Sequence, residues 1–477
     1  MISGALWRIN SAYSSLSQVI PDSQMGRITG PQQVEQRRVD QFKALILATP
    51  TVDIGYNFIK HHKDRQNLDF VVFDARYRDE FTQRLGRTGR VLGKKVTDQP
   101  SLAIALVGES VERELASYDQ QTMTRSELAD VLRKLNSLPE KNEFSSYLKA
   151  GGLYENAYPL FRARTMFSTG QEPLLKDLYL KVRGVFAPDS GISFGKIKRQ
   201  FRLESVISSW LREPSDGYAR ERIPDVVQEF TEWLTGQRYH LSPSQVKQYL
   251  SDSRITSGFR TYCEMRQALL QAQFSFRDSF SGPTAWVYDP YHLLSDTDVT
   301  QYDLIHILEN YEVDFIEPGE WKSVTNEPSL TAAIRVYLRR QRAKDQRLRI
   351  RLRWVPPDMG MSGGWEEERF LRCFVAGDPV ALKGVTFICD QPLARVFQQS
   401  LAGRYVTALL VPGSLEGAMR KALMDRLVYP RELQVTFPSG RELRFHAILG
   451  TNAFLIAPML HYAFANSEKM RTDAIIC

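Results

Sequence analysis

Three short apolar runs, Lys43 to Leu47, Phe70 to Asp74 and Leu102 to Val107, punctuate the first 110 residues, with stretches of helical composition between them. Alternation of this kind is satisfied by a parallel sheet covered by helices on both faces. The fold class expected for this part is therefore α/β. In such a sheet the loops at one edge carry the binding residues.

Between the second and third runs lies Gln83-Arg84-Leu85-Gly86-Arg87-Thr88-Gly89-Arg90, in which Arg87 and Arg90 stand three apart in a glycine-spaced stretch. Arginine keeps its charge and offers a planar fork that holds two oxygens of a phosphate, so this pattern reads as a phosphate contact. The glycines allow the backbone to come close to a nucleotide. A basic surface helix is the plainer reading of the same residues.

Upstream, Ala48-Thr49-Pro50-Thr51-Val52-Asp53-Ile54-Gly55-Tyr56-Asn57-Phe58 follows the first apolar run. Together the two stretches resemble motifs V and VI of superfamily-two helicases, and Ala5-Leu6-Trp7-Arg8-Ile9 with Asn10-Ser11 resembles the motif IV strand and its turn. Arg27-Ile28-Thr29-Gly30 resembles the end of the next strand. By this resemblance residues 1–110 form a second RecA-like lobe. The approach Asp74-Ala75-Arg76-Tyr77-Arg78-Asp79-Glu80-Phe81-Thr82 is most similar to the CRISPR-associated helicase of type I interference systems, and within it to the type I-D form without a nuclease domain of its own.

The resemblance implies ATP as cofactor, with Arg87 and Arg90 as catalytic finger arginines at the γ-phosphate and Gln83 on the nucleotide side. Gly55 and Asn57 would approach the ribose, and Thr49 would contact the backbone of a tracked DNA single strand. Two departures stand out: Asn57 and Asp53 occupy positions where the family usually has aspartate and glutamate, and Asn57 brings no charge to a hydroxyl. No Gly-x-x-x-x-Gly-Lys-Ser/Thr loop and no Asp-Glu-x-His box occurs in the 477 residues. Magnesium would be held mainly by a first RecA-like lobe supplied in cis or in trans. The chain accordingly reads as the C-terminal portion of a helicase, a separate subunit, or the product of an internal start at Met1.

Charged residues make up 25% and hydrophobic residues 43%, with a formal net charge of +7. That balance is ordinary for a soluble globular protein and permits nucleic-acid binding. The four cysteines, Cys263, Cys373, Cys389 and Cys477, are too far apart for a metal knuckle or a secreted disulfide frame, so a cytoplasmic location is expected. Phe445 to Ser467 runs 23 residues without a formal charge. His446, Thr451, Asn452, Pro458 and His461 within it favour a buried core over a membrane span.

Residues 111–330 are expected to form a mainly helical linker and accessory region, with Leu115, Leu128, Val131, Leu132 and Leu135 marking an amphipathic stretch before Pro139. Ser242, Pro243 and Gln245 predict a capped helix start, and the preceding Val226 to Leu234 run makes a helix-turn-helix or simple bundle packing the two readings there. The carboxylates of Asp296, Asp298, Asp303, Glu309, Glu312 and Asp314 predict an acidic helix face rather than a magnesium site. Residues 331–477 are expected to form a smaller α+β region, with a hairpin of Leu433 to Phe437 and Arg441 to Ile448 about Pro438-Ser439-Gly440.

That last region opens with nine cations in nineteen residues, Arg335 to Arg353, against Asp345 alone. Arg347, Arg349, Arg351 and Arg353 alternate with Leu348, Ile350, Leu352 and Trp354. As one strand this places four guanidiniums on one face about 7 Å apart, a spacing suited to successive phosphates of a single strand. The alternatives are a charged edge strand and a docking face for an acidic or RNA-containing partner. The helicase resemblance implies ATP-dependent DNA unwinding or translocation in CRISPR interference, with a guide-RNA surveillance complex as partner. A non-catalytic DNA- or complex-binding subunit and a helicase of DNA repair or RNA metabolism are the other readings.

Overall fold

The computed structural model describes residues 1–30, 32, 34–52, 58, 63–64, 67–89, 100–140, 152–162, 172–188, 190–237, 240–274, 284–294, 297–325, 334–361, 364–375, 377–389, 402–412, 423, 428–465. The chain divides into two compact units, and each is discontinuous in sequence. The first comprises residues 1–142, 285–302 and 310–346, and the second residues 143–284, 303–309 and 347–477. This differs from the three consecutive blocks expected, because residues 285–302 and 310–346 return to the first unit.

In the first unit, strands β1 (Met25–Ile28) and β2 (Leu45–Ala48) pair in parallel, as do β3 (Phe70–Asp74) and β4 (Leu102–Leu106). Ile2 joins the two pairs, with parallel bridges to Ala48 and Phe73. The spatial order is therefore β1, β2, Ile2, β3, β4, a parallel sheet as expected from the apolar runs.

The segment Ala5 to Ile9 is not the strand expected: residues Leu6–Leu16 are a helix, and the strand-like residue is Ile2. The physical reason is the spacing of Ile9, Ala12, Tyr13 and Leu16, which lie on one helical face over Met25 and Leu47. On the opposite face Phe73, Val71, Ile28 and Ala48 pack with Phe81, Val111, Leu132, Leu135 and Leu138. The helices Glu109–Leu115 and Arg125–Lys134 thus belong to this core instead of forming a separate linker. The second opens on a capping box between Thr124 and Glu127.

The remainder of the first unit is a four-stranded sheet in the order β6 (Val299–Asp303), β5 (Thr284–Tyr288), β8 (Ile334–Gln341), β7 (Tyr311–Phe315). The acidic stretch is consequently not one helix. From Val299 onward it is β6, a short helix Leu304–Asn310 and β7, because Leu304, Ile305, Ile307 and Leu308 are all buried and cannot share a single amphipathic stripe with a longer solvated face; Asp296 lies outside the described residues.

The second unit begins with helices, among them Phe194–Arg212, Gly217–Thr235, Pro243–Ser251 and Ser253–Phe274. The expected start at Ser242 is present, with Pro243 in the first turn and a reciprocal Ser242–Gln245 capping box. Helical structure gives way to strands at Thr284, earlier than expected.

A six-stranded sheet completes this unit, in the order β10 (Val380–Lys383), β12 (Tyr405–Pro412), β14 (Glu442–Leu449), β13 (Arg431–Thr436), β9 (Arg351–Trp354), β11 (Thr386–Ile388). β13 and β14 form the expected antiparallel hairpin. The uncharged stretch after Phe445 splits into β14 and a helix Thr451–Ala465, whose Ala453, Ile456 and Ala457 pack beneath Leu409, Val411 and Ile448. Among the described residues no helix is long and apolar enough to cross a membrane.

Candidate functional site

Strand β3 ends on Asp74, and the carboxylate there organises the surrounding chain. Ser3 Oγ donates to Asp74 Oδ2 at 2.7 Å, Gly4 N to Oδ1 at 3.0 Å, and Arg8 Nη1 to Oδ2 at 3.1 Å. From the following helix, Arg78–Leu85, Arg84 Nη1 donates to Asp74 Oδ1 at 3.0 Å and to its carbonyl at 2.6 Å. Arg84 is only 1% exposed, so its charge is compensated inside the protein by Asp74, with Glu80 Oε2 at 3.7 Å. The constellation ties the amino-terminal segment, β3 and the arginine-bearing helix into one piece.

The residues expected to read phosphate lie at the far end of that helix. Gln83 is exposed on its outer face, whereas Arg87 and Thr88 are buried at 6% exposure each. Gly86 closes the helix, and Arg87 N and Thr88 N donate to Arg84 O and Leu85 O in a tight turn. Gly89 has φ +68°, a conformation glycine adopts without strain. It comes against Ser101, whose hydroxyl donates to Leu68 O beside the starts of β3 and β4. Thr88 O accepts from Arg125 Nη2 at 2.9 Å, so the turn is also held by the helix Arg125–Lys134. Thr88 Oγ1 is buried and has no hydrogen-bond partner.

Thr49 is buried directly after β2, where its N–H donates to Ile28 O at 3.0 Å and its hydroxyl lies 3.0 Å from Thr51 Oγ1. It therefore sits at the carboxyl ends of the strands, and the Arg87 turn near their starts. Gly55, Asn57 and Arg90 lie outside the described residues, as does Asp53. Within the expected set the structure thus places Gln83 and Arg87 on one short segment and Thr49 at the other edge of the sheet. Asp74, Arg84 and Arg8 form the built polar cluster that sequence reading missed. Its signal was present: an acidic residue closing an apolar run, ten positions before an arginine inside the quoted motif.

The basic strip is built differently from the single strand expected. Only Arg351–Trp354 is strand, and β9 lies between β13 and β11, so it is not an edge. The alternation nonetheless extends beyond the strand: Arg347, Arg349 and Arg353 are exposed, Arg351 is half-buried, and Ile350, Leu352 and Trp354 are buried.

The upstream cations belong to β8, where the antiparallel pairing with β7 brings the acidic run alongside. Arg340 Nε and Nη2 form a bidentate pair with Glu312 at 2.7 and 2.8 Å, Arg339 pairs with Asp314, and Arg342 Nη1 is 3.9 Å from Glu312. The pairing with Arg340 holds the Glu312 carboxyl below its ordinary range. Arg335 is buried at 2% exposure. Three of the nine cations, Arg339, Arg340 and Arg342, are therefore matched by carboxylates in space, while Arg347, Arg349 and Arg353 are exposed. No group of three or more metal-ligating side chains occurs among the described residues. Comparison with family models, curated proteins and solved structures finds no match to this chain.

Proposed function

We propose that this chain supplies the second RecA-like lobe of an ATP-dependent DNA helicase, with accessory regions attached, and that it works with a guide-RNA surveillance complex in CRISPR interference. The observation that carries the reading is the Gln83 to Gly89 run at the end of a helix leaving β3 of a parallel sheet, with Arg87 fixed in a buried turn. The chemistry such a site supplies is charge stabilisation of a phosphoryl group in flight.

The residues fit a triphosphate in part. Thr88 Oγ1, next in sequence to Arg87, is buried without a hydrogen-bond partner, while Gln83 is exposed on the helix. Arg87 and Arg90 would face the γ-phosphate, and Thr49 the DNA backbone. Magnesium would be held by the first lobe, and no ligand set for it is drawn from this chain. On this reading strand contact and nucleotide contact would fall at opposite edges of the sheet, which departs from the single binding edge expected from the sequence.

A binding-subunit role draws on fewer guanidiniums than the sequence counts, since Arg339, Arg340 and Arg342 face carboxylates. The motor reading is tested by combining the chain with a first-lobe polypeptide that carries a phosphate loop and measuring ATP turnover with and without single-stranded DNA. DNA-stimulated turnover that neither part shows alone supports it. DNA binding that ignores ATP, with no turnover, would overturn it in favour of a binding subunit.

A further inference from the structure

The second unit contains a cavity of about 610 Å³ that the motor reading does not use. One wall is a single face of the helix Phe194–Arg212, where Lys196, Gln200 and Glu204 recur every four residues. Eight residues of helix separate the first from the last, an axial rise of about 12 Å. Trp233 offers an aromatic surface and is held by its indole N–H, which donates to Cys373 O at 3.2 Å. Leu270 lines the cavity from the helix Ser253–Phe274.

The two ends of this wall differ in chemistry. Glu204 is 6% exposed; its Oε1 accepts from Arg266 Nη2 at 2.7 Å and from Gln200 Nε2 at 2.9 Å, but its Oε2 is buried with no hydrogen-bond partner. Leaving a buried carboxylate oxygen unmet costs more than a typical hydrogen bond contributes, so the site calls for a donor. Lys196 lies in the first turn of the helix, behind the Ser193 cap, where the ammonium and the helix dipole both favour an anion.

A simple organic cation would meet Arg266 and Lys196, and a simple anion would leave Glu204 unmet. An apolar molecule would strip water from both ends without replacing it. A ligand with a hydrogen-bond donor and an anion at opposite ends of a flat apolar body satisfies all three constraints.

We propose that this cavity binds a nucleoside monophosphate unit, with the amino group of its base donating to Glu204, its ring against Trp233 and its phosphate at Lys196. The unit comes either as a free nucleotide or as one splayed nucleotide of a single strand. The inference stands independently of the motor reading, since every residue it uses lies in the second unit.

The test is calorimetric titration of the full chain with AMP, CMP and GMP. At least one is expected to bind, and binding to drop at least about tenfold with the analogue lacking the exocyclic amino group. Lys196→Ala is expected to weaken the nucleotide about tenfold while leaving the matching nucleoside unchanged, which a general loss of fold would not do. Leu270→Trp, on a half-buried wall position, is expected to abolish binding. Displacement of the bound nucleotide by a single-stranded oligonucleotide identifies a strand as the source, and retention of the nucleotide identifies the free form. Binding that ignores the amino group, or persists in Leu270→Trp, overturns the proposal, as does the absence of any binding.

Discussion

Arg84 Nη1 grips Asp74 twice, at 2.6 Å on the carbonyl and 3.0 Å on the carboxylate, from a side chain with 1% exposure. Removing the Arg84 side chain takes away both charge-assisted hydrogen bonds and the packing of a buried group, while Asp74 keeps Ser3, Gly4 and Arg8, a loss of about 2–3 kcal/mol. Arg84→Ala is therefore expected to lower the urea midpoint of the first unit sharply. A midpoint within error of wild type would contradict the burial argument.

The pairing of β7 with β8 sets up a charge test. Neutralising the carboxylates in Glu312→Gln with Asp314→Asn releases Arg339 and Arg340, which are exposed. Affinity for single-stranded DNA is expected to rise, and the slope of log K against log salt to steepen by about 0.7 for each guanidinium that reaches a phosphate. Stability is expected to change little, because exposed pairs contribute little. An unchanged slope would mean that this face does not meet nucleic acid.

His306 offers a pH dependence. Burial, with Arg431 and Arg347 adding repulsion, lowers its pKa from 6.5 to about 4. A depressed folded-state value means that the unfolded chain binds the proton more readily. The associated stability is full above pH 6.5 and is lost as pH falls through about 4, amounting to about 3 kcal/mol at most. Urea midpoints of the second unit measured from pH 7 to pH 4 should fall along that course, and His306→Gln should flatten it. Identical profiles for the two proteins would remove His306 as the cause.

Gly258 lies where a Cβ would stand 2.2 Å from Met359 O, a backbone atom that cannot turn aside. Gly258→Ala is expected to destabilise the second unit by about 3 kcal/mol, at the upper end of overpacking costs, read by thermal unfolding. Wild-type stability would show that the helix and the Met359 loop separate freely.

Strands β2, β3 and β4 were legible because each is a contiguous apolar run, the pattern of a covered parallel sheet, whereas β1 carries Gly26 and Arg27 and was indicated only by the resemblance at Arg27 to Gly30. The central position of Ile2 was not legible, because a strand one bridge long leaves no period to read. Ala5 to Ile9 is apolar enough for a strand, and only the recurrence at Ala12, Tyr13 and Leu16 identifies its helical face. The pairing of the upstream cations was hidden for a related reason. Arg340 and Glu312 are 28 positions apart in sequence, and an antiparallel register makes them neighbours. The alternation at Arg347 to Trp354 did predict the burial of Ile350, Leu352 and Trp354, with Leu348 half-buried, since period two holds for any extended chain, paired or not. It gave no information on whether β9 is an edge. The Asp74–Arg84 contact needed a strand end and a helix start to be placed together before either residue could be singled out.

The central claim concerns the arginine run, and the most direct measurement is ATP turnover with single-stranded DNA, in the presence of a first-lobe polypeptide, for wild type and for Arg90→Ala. A finger arginine contributes about 10³-fold or more to phosphoryl transfer, so turnover in the variant is expected to fall to background while the chain stays folded and bound to DNA. Arg87→Lys, which keeps the charge and loses the fork, is expected to fall in the same direction. Unchanged turnover in Arg90→Ala would contradict the assignment of Gln83 to Arg90 as the nucleotide-reading segment.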